Sequence, residues 1–229
     1  MREKVDITKY REVIGSLIYL MTCTRPDISY SVGLLSRFMQ EPKELHWRFL
    51  KRLLRYLKTT RDYSLTYYKS NKENRKLIGY TDSDLASNFE DRKSTSGYLF
   101  KYGECLISWK SSKQNIVALS STEAEYIGLT KAAQETIWLK QTLNELNHKT
   151  EQVLIYCDNQ SSISLSKNPE FHARSKHIDI RHHFIREMIK EGELKIEYLS
   201  KDEMPADLLT KGLPRMKHYK CLDDLNLKN

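Results

Sequence analysis

Apolar residues in the first third of the chain recur at the spacing of α-helices, and they predict helices over residues 9–40 and 43–58. In the second helix, one set of large apolar side chains recurs at intervals of three and four, so it lies on one face that we expect to be buried. This set consists of Trp47, Leu50, Leu53, Leu54 and Leu57. Pro26 and Pro42 stand where helices are expected to start.

From about residue 76 the pattern changes to short apolar strands, which turns and amphipathic helices separate. The element order is three strands, a long helix, a strand, two helices, a strand and a short helix. It predicts an α/β domain with a mixed five-stranded sheet flanked by helices, preceded by a small helical N-terminal region. The predicted strands cover 76–82, 94–102, 105–111, 152–158 and 194–200, and the predicted helices cover 121–146, 159–168, 175–193 and 204–212.

The composition is that of a soluble globular protein, with 39% hydrophobic and 30% charged residues. No segment approaches the roughly 18 consecutive apolar residues that a membrane span requires. The N-terminal sequence MREKVDITKYREVIG has no apolar core of a secretory signal. The four cysteines are widely separated without a C-x-x-C pair, so neither a disulfide framework nor a zinc knuckle is predicted. We therefore expect a cytoplasmic or nuclear location.

The net charge of +8 is unevenly distributed along the chain. Residues 1–78 carry 17 Lys and Arg against 8 Asp and Glu, whereas the other 151 residues carry 21 against 22. All of the positive excess therefore lies in the first third. This asymmetry predicts a basic region that meets a polyanion, followed by a nearly neutral body.

Two predicted strands, IGYTD and LIYCD, end in the same pattern, an aromatic residue followed two positions later by aspartate. If these strands pair in parallel, Asp82 and Asp158 lie at the same carboxyl edge of the sheet, where α/β proteins bind ligands. Asp84 points to the same side as Asp82 because side chains alternate along a strand. The matched ends of the two strands favour Asp82 and place Asp84 beyond the strand, in the turn.

Two further acids stand where predicted helices begin. Glu123 lies three residues after Ser120, a spacing that equally describes a capping box. Asp207 follows Pro205 and equally suits an N-terminal helix charge. Neither acid identifies a metal site alone, but two strand-end aspartates combined with two helix-start carboxylates do suggest one.

The motifs of the second region resemble the ribonuclease H domain of copia-type retrotransposon Pol polyproteins, from about residue 76 to about residue 219. The N-terminal third resembles the thumb or connection segment between the reverse transcriptase palm and that domain. This resemblance implies the domains 1–75, 76–219 and a solvated tail over 220–229, and also a location in virus-like particles or the nucleus. The motifs are GYTDSDLA, KSTSGYLF, SWKSSKQ, SSTEAEY, YCDNQSS, SKHIDIRHHFIRE and ADLLTKGL in the domain, and VIGSLIYLMTCTRPDISYSVGLLSRFM and HWRFLKRLLRYLKTTRDYSL before it.

The resemblance implies a ribonuclease H-like fold and a two-metal endonuclease that cleaves the RNA strand of RNA:DNA hybrids, leaving 5′-phosphate and 3′-hydroxyl ends. The implied ions are two Mg²⁺, with Mn²⁺ as a substitute, and two such ions activate water and stabilise the leaving oxyanion. The implied partner is the polymerase portion of the same polyprotein. The implied catalytic and metal-binding residues are Asp82, Glu123, Asp158 and Asp207.

The chain departs from the family pattern in two places. The segment YLSKDEMPAD before the last acid has no histidine, and no separate basic helix follows NQSSISLSKNPE. We therefore expect the N-terminal basic helices to contact the hybrid, together with basic loops beside the site. The expected nucleic-acid contacts are Arg48, Arg52, Arg55, Arg92, Lys110 and Lys113.

Two other interpretations of the sequence remain open. One is a non-catalytic or partner-dependent nucleic-acid-binding fragment of a retrotransposon polyprotein. The other is an integrase-type transesterase, although that core uses three acids with the last on a late helix. Cleavage of a labelled RNA:DNA hybrid in Mg²⁺ separates these alternatives.

Overall fold

A computed structural model describes residues 5–69, 75–88, 90–167 and 179–228 of the chain. Among these residues, none of the helices has both the length and the apolar character needed to cross a membrane. The predicted helix over 175–193 is observed from Asp179, and residues 175–178 lie outside the described ranges.

The N-terminal region is helical, but its first predicted helix is divided. Helix α1 spans Ile7–Cys23, a 3-10 turn spans Pro26–Ile28 and α2 spans Ser29–Ser36. The division falls at Arg25, whose extended backbone (φ −125°, ψ 72°) reflects the steric restriction on a residue that precedes proline. Helix α3 spans Glu44–Thr59, as predicted.

The buried face of α3 is narrower than its apolar pattern predicted. Leu50 and Leu53 pack into the helical core with α1 and α2, and Trp47 and Leu57 pack against its margin. Leu54 was expected on this face but is 38% exposed, because the neighbouring helices cover only one side of α3.

The second region contains a mixed five-stranded sheet with the order β4-β3-β2-β5-β6, so the predicted fold class is confirmed. Strand β2 pairs antiparallel with β3 and parallel with β5, and β5 pairs parallel with β6. The short β1 and β7 form a separate two-stranded sheet. The strands are β1 (Ser64–Leu65), β2 (Leu77–Asp84), β3 (Thr95–Tyr102), β4 (Cys105–Lys113), β5 (Val153–Cys157), β6 (Leu194–Tyr198) and β7 (Leu227–Lys228).

Helices and 3-10 turns cover both faces of this sheet. One face packs against α4 (Ser121–Glu145), α5 (Gln160–Lys167) and α6 (Asp179–Lys190), around residues such as Phe100 and Ile155. The other face packs against a 3-10 helix over Pro205–Leu209 and against α7 (Arg215–Asp224). Alternation along β2 and β5 sends successive side chains to opposite faces, so each strand contributes to both layers.

The C-terminal residues differ from the predicted solvated tail. Residues 215–224 form α7, and Leu227 and Lys228 form β7, which pairs with β1. Four side chains of this segment are almost fully buried, because together they cover the second face of the sheet beside Leu99 and Leu209. These side chains are Cys221, Leu222, Leu225 and Leu227.

A buried ion pair ties the 3-10 turn of the N-terminal region to the end of α3. The Arg25 guanidinium donates to both Asp27 oxygens at 2.9 and 2.7 Å and also to the backbone carbonyl of Thr60 at 2.9 Å. Tyr56 donates its hydroxyl to Asp27 at 2.7 Å. Because the pair is buried, each charge depends on its partner for the interactions that water would otherwise supply.

Replacing Arg25 by methionine should lower the free energy of unfolding by about 3–5 kcal/mol, since it leaves the Asp27 carboxylate buried without its main countercharge. Urea unfolding followed by circular dichroism measures this change. Arg61→Met removes a similar pair with Asp62 that is largely exposed, and should cost less than about 1 kcal/mol. Equal losses in the two variants would contradict the assignment of Arg25 as a buried anchor.

Candidate functional site

The parallel pairing of β2 and β5 brings the two strand-end aspartates together. The register pairs Thr81 with Cys157, so the next residues, Asp82 in β2 and Asp158 just after β5, lie side by side. Their exposed fractions are 1% and 8%. This arrangement is the one that the matched strand ends predicted.

Strand β2 continues further than expected. Asp84 is its last residue and pairs with Thr95 of β3, so it does not lie in the turn as predicted. The antiparallel partner β3 extends the strand beyond the point where β5 ends. Asp84 is only half-buried, whereas Asp82 is closed off from solvent.

Asp207 reaches the same edge of the sheet from the second face. It belongs to the 3-10 helix over Pro205–Leu209, which lies directly over Gly97. Gly97 is the register partner of Asp82 in β3, and a Cβ at this position would stand only 2.6 Å from Leu209 Cβ. The missing side chain therefore allows the close approach that sets Asp207 and Thr210 beside Asp82. Thr210 donates its hydroxyl to the Asp82 carboxylate.

Three carboxylates converge as a result. Oxygens of Asp82, Asp158 and Asp207 all lie within 4.8 Å of one another. Within the described part of the chain, both Asp158 oxygens and Asp207 Oδ1 are buried without a hydrogen-bond partner. Buried carboxylates at this spacing repel one another and require cations, and carboxylate oxygens are the ligands that Mg²⁺ and Mn²⁺ prefer. The donor set therefore fits a hard divalent metal.

The fourth acid at this site is Glu125, which sequence reasoning missed. It lies just after the first turn of α4, is 5% exposed, and clusters with Cys157 and Asp158, with ligand atoms within 4.8 Å. Among the described residues, its Oε2 has no hydrogen-bond partner. Burial raises the pKa of Glu125 to about 10, and the nearby charges of Asp82 and Asp158 act in the same direction. Such a carboxylate needs a cation to remain ionised at neutral pH.

The predicted acid Glu123 does not join either cluster of metal-ligating atoms that the described residues form. Its Oε2 accepts the backbone N–H of Leu119 at 2.8 Å, and its own N–H donates to Ser120 Oγ at 3.1 Å. These bonds are those of a helix cap, the alternative that the Ser120 spacing suggested.

Helix α4 presents Glu125 to the cluster because it packs unusually close to the sheet. A Cβ at Gly128 would lie 2.4 Å from Ser83 Oγ, so only glycine fits without a shift. Gln114 Nε2 donates to the carbonyl of Ala124 at 2.9 Å and to Ser96 Oγ at 2.7 Å, which anchors the first turn of α4 to β3. Glu125 thus approaches from one face of the sheet, and Asp207 from the other.

Two lysines supply positive charge at the acids. Lys211 Nζ lies 2.8 Å from Asp207 Oδ1 and 3.4 Å from Asp82 Oδ2, and Lys217 Nζ contacts Asp207 Oδ2. Burial raises the pKa of Asp82 to about 6, even though the ammonium of Lys211 acts in the opposite direction. The two ammonium groups therefore offset only part of the negative charge of the four acids.

A signal for Glu125 was present in the sequence. It lies four residues before Leu129 and seven before Ala132, so it falls on the buried stripe of α4, where an acid needs a specific partner. Lys211 and Lys217 left no comparable signal, because the contacts they make depend on how the segment after Asp207 folds back.

The predicted nucleic-acid contacts lie on two separate surfaces. Arg48, Arg52 and Arg55 project from the exposed side of α3, interspersed with the exposed Leu45 and Phe49. This basic surface on α3 therefore has an apolar component that charge alone did not predict.

The other three contacts lie around strands β2 to β4. Arg92 lies in the loop after Asp84, with a left-handed φ of 55°, and Lys110 is exposed on the edge strand β4. Lys113 at the end of β4 is bound to Asp91 at 2.5 Å, so its charge is partly neutralised.

Several known proteins are similar to this chain, whereas no family model matches it. It is 48% identical over 223 residues, 96% of its length, to the retrovirus-related Pol polyprotein from transposon TNT 1-94 of Nicotiana tabacum. It is 43% identical over 212 residues, 92% of its length, to that from transposon RE2 of Arabidopsis thaliana. The matches cover 17% and 14% of these polyproteins, so the chain spans less than a fifth of either.

A shorter relative is secreted RxLR effector protein 161 of Plasmopara viticola, which is 49% identical over 130 residues, 57% of this chain and 90% of that protein. Among solved structures, LC11-RNase H1 from compost aligns with 17% identity and a TM-score of 0.46, over 59% of this chain and 93% of its own. A foamy viral protease-reverse transcriptase in complex with double-stranded DNA aligns with 12% identity and a TM-score of 0.48, over 88% of this chain and 40% of its own.

Proposed function

Because this chain belongs to the Pol polyproteins of copia-type retrotransposons, we propose that its sheet domain is a metal-dependent ribonuclease that cleaves the RNA strand of RNA:DNA hybrids. The observation that carries this proposal is the convergence of four buried acids at one edge of the sheet. Several of their oxygens have no hydrogen-bond partner among the described residues. The motif resemblance supports the hybrid as substrate, and the basic N-terminal region supports a polyanionic one.

The proposed metal ligands are Asp82, Asp158, Asp207 and Glu125, and Glu125 replaces Glu123 in this assignment. A pair of divalent ions bound there supplies an activated water and stabilises the leaving oxyanion, which yields 5′-phosphate and 3′-hydroxyl ends. Asp158 belongs to both clusters of metal-ligating atoms, so it would hold the metal together with Asp82 and Asp207 on one side and with Glu125 on the other. Thr210 donates to one oxygen of Asp82 and thereby restricts the orientation of the Asp82 carboxylate.

The remaining residues of the site exclude water and balance charge. Gly97 and Gly128 let a 3-10 helix and α4 close over the two faces, so that the acids are held by packed elements. Lys211 bridges Asp82 and Asp207. A metal held by these acids would take over the charge-balancing role of Lys211, and the one-third exposed side chain of Lys211 would then be available to a phosphate.

The test is incubation of the full chain with a hybrid labelled on either strand, in Mg²⁺ or in EDTA, with RNA:RNA and DNA:DNA duplexes in parallel. We expect metal-dependent cleavage of the RNA strand of the hybrid alone, and none by the Asp158→Asn variant. Binding of the hybrid without cleavage would instead support a non-catalytic or partner-dependent fragment. Cleavage or strand joining of double-stranded DNA would support a transesterase.

We propose that residues 1–75 grip the hybrid through the basic surface on α3. Reversing Arg48, Arg52 and Arg55 to glutamate should weaken hybrid binding and reduce the slope of log affinity against log salt by about 3, one for each lost phosphate contact. Fluorescence anisotropy at several salt concentrations measures both quantities. Reversal of the exposed Lys149 and Lys190 is the control. If each reversed lysine of the control lowers the salt slope as much as each reversed arginine of α3 does, the hybrid is bound by non-specific attraction and not by contact with α3.

A further inference from the structure

Helix α7 holds the segment that carries Asp207. Lys217 Nζ donates to the carbonyl of Lys201 at 2.6 Å, and Lys220 Nζ donates to the carbonyl of Asp202 at 2.8 Å. Lys217 also donates to the carboxylate of Asp207 itself. Lys217 and Lys220 of α7 therefore hold the backbone of the segment that leads to Asp207, and Lys217 also contacts Asp207 itself.

The two oxygens of Asp207 have different surroundings. Oδ2 accepts from Lys217, whose side chain is three-quarters buried. Oδ1 faces Lys211 at 2.8 Å but has no hydrogen-bond partner among the described residues. Lys217 of α7 thus holds Oδ2, and Oδ1 faces the ammonium of Lys211, whose place a metal cation would take. Metal-ligating carboxylates are commonly hydrogen-bonded in this way by residues outside the ligand set.

Helix α7 is in turn fixed to the N-terminal region. His218, the residue after Lys217, lies with its Nε2 3.1 Å from the Tyr56 hydroxyl of α3, and the two rings pack edge to face. The same hydroxyl donates to Asp27 in the buried pair with Arg25. One turn further along α7, Cys221 and Leu222 anchor the helix in the core over the sheet. The helix therefore connects the helical region to Asp207.

We propose that Lys217 is a positioning residue that orients Asp207 for metal binding, and that α7 makes this orientation dependent on the N-terminal helical region. The proposal rests on the proposed function, since it assumes that Asp207 binds the metal. It gives Lys217 and α7 a role in the metal site, although the sequence analysis assigned the second half of this helix to a solvated tail.

The test measures Mn²⁺ binding to the full chain from the free-ion signal in electron paramagnetic resonance, without substrate. Lys217→Met should weaken Mn²⁺ binding about 10- to 100-fold, the usual effect of removing an outer partner of a ligand. Lys217→Arg should recover most of the affinity because it restores a cationic donor. If Lys217 only repelled the metal through its positive charge, Lys217→Met would bind Mn²⁺ more tightly. Unchanged or tighter Mn²⁺ binding by Lys217→Met therefore overturns the proposal.

Two controls separate this proposal from the proposed function. Lys58→Met removes one exposed positive charge from α3 and should leave Mn²⁺ affinity within about twofold. Asp207→Asn should abolish Mn²⁺ binding, because it removes the proposed ligand itself. If Asp207→Asn changes nothing, the metal site itself is wrong. If Asp207→Asn abolishes binding but Lys217→Met does not weaken it, only the role of Lys217 fails. Circular dichroism confirms that each variant is folded.

The dependence on the N-terminal region is tested with Tyr56→Phe, which removes the hydroxyl that contacts His218. We expect Tyr56→Phe to weaken Mn²⁺ binding in the native background and to have no further effect in the Lys217→Met background. Independent effects that multiply in the double variant would show that Tyr56 does not act through Lys217.

Discussion

Replacement of Glu125 by glutamine is expected to reduce hybrid cleavage by at least about a thousandfold. The metal contributes several kcal/mol to transition-state stabilisation, and about 4 kcal/mol corresponds to a factor of 1,000 in rate. Glu125 is buried beside Asp158, and one of its oxygens has no hydrogen-bond partner among the described residues, so its replacement removes a proposed metal ligand and not a solvated charge. Single-turnover cleavage of a labelled hybrid in Mg²⁺ measures the effect.

Glu123→Gln is the matched control, because it makes the same chemical change two residues away on the same helix turn. We expect cleavage within about tenfold of the native rate and a loss of at most about 2 kcal/mol in stability, as for a weakened helix cap. If Glu123→Gln is inactive and Glu125→Gln is active, the assignment from the sequence is right and the geometric one is wrong.

Stability provides a second readout for Glu125. Burial raises the pKa of its folded carboxyl far above the unfolded value, so ionisation at neutral pH opposes folding when no metal is bound. Glutamine avoids this cost. Without metal at pH 7, Glu125→Gln should therefore unfold at an equal or higher temperature than the native chain, whereas Mg²⁺ should stabilise the native chain more. An inactive variant that is also less stable would indicate a packing defect instead.

Asp82→Asn should abolish cleavage to a similar extent, whereas Asp84→Asn should change the rate by less than about tenfold. Both side chains leave the same side of β2, but only Asp82 groups with Asp158 and Asp207 within ligand distance among the described residues. Asp84 is half-buried at the strand end and lies outside that group. The measurement is again single-turnover cleavage, at saturating hybrid so that binding does not limit the rate.

The pair of variants also tests the strand register. In the structure, β5 ends opposite Thr81, and this places Asp158 next to Asp82 and not next to Asp84. Equal loss of activity in Asp82→Asn and Asp84→Asn would mean that the metal site extends along the strand. In that case Mn²⁺ affinity should fall in both variants, which distinguishes a shared site from a folding defect.

Periodicity predicted most of the elements because burial imposes it locally. The five strands, the long α4 and the helical N-terminal region all follow from apolar spacing, and Asp82 and Asp158 follow from two strands that end alike. Leu54 shows where this reasoning stops. It has the spacing of a buried residue, yet it is exposed, because the width of a buried face depends on which helices pack against it.

The choice between Glu123 and Glu125 as the fourth acid has a similar cause. Glu123 stands in the first turn of α4 and Glu125 just after it, and the Ser120 spacing suggested a capping role for Glu123 that its hydrogen bonds support. The proposed metal-site role depends instead on which face of α4 meets the sheet, and the close approach at Gly128 decides that. The Ser120 spacing identified a cap that Glu123 makes, whereas only the motif resemblance implied a metal role for Glu123.

By itself the sequence determined the α/β class, the location of the positive charge and the two aspartates at the strand ends, because strand and helix periods and residue charge are properties of short segments. The motif resemblance also implied Asp207, but only the tertiary structure placed it beside Asp82 and added Glu125, Lys211 and Lys217 to the site. Some of these contacts join residues more than 100 positions apart, as Thr210 and Lys211 do with Asp82. Their proximity follows from how whole elements pack over two glycines, which no local pattern records.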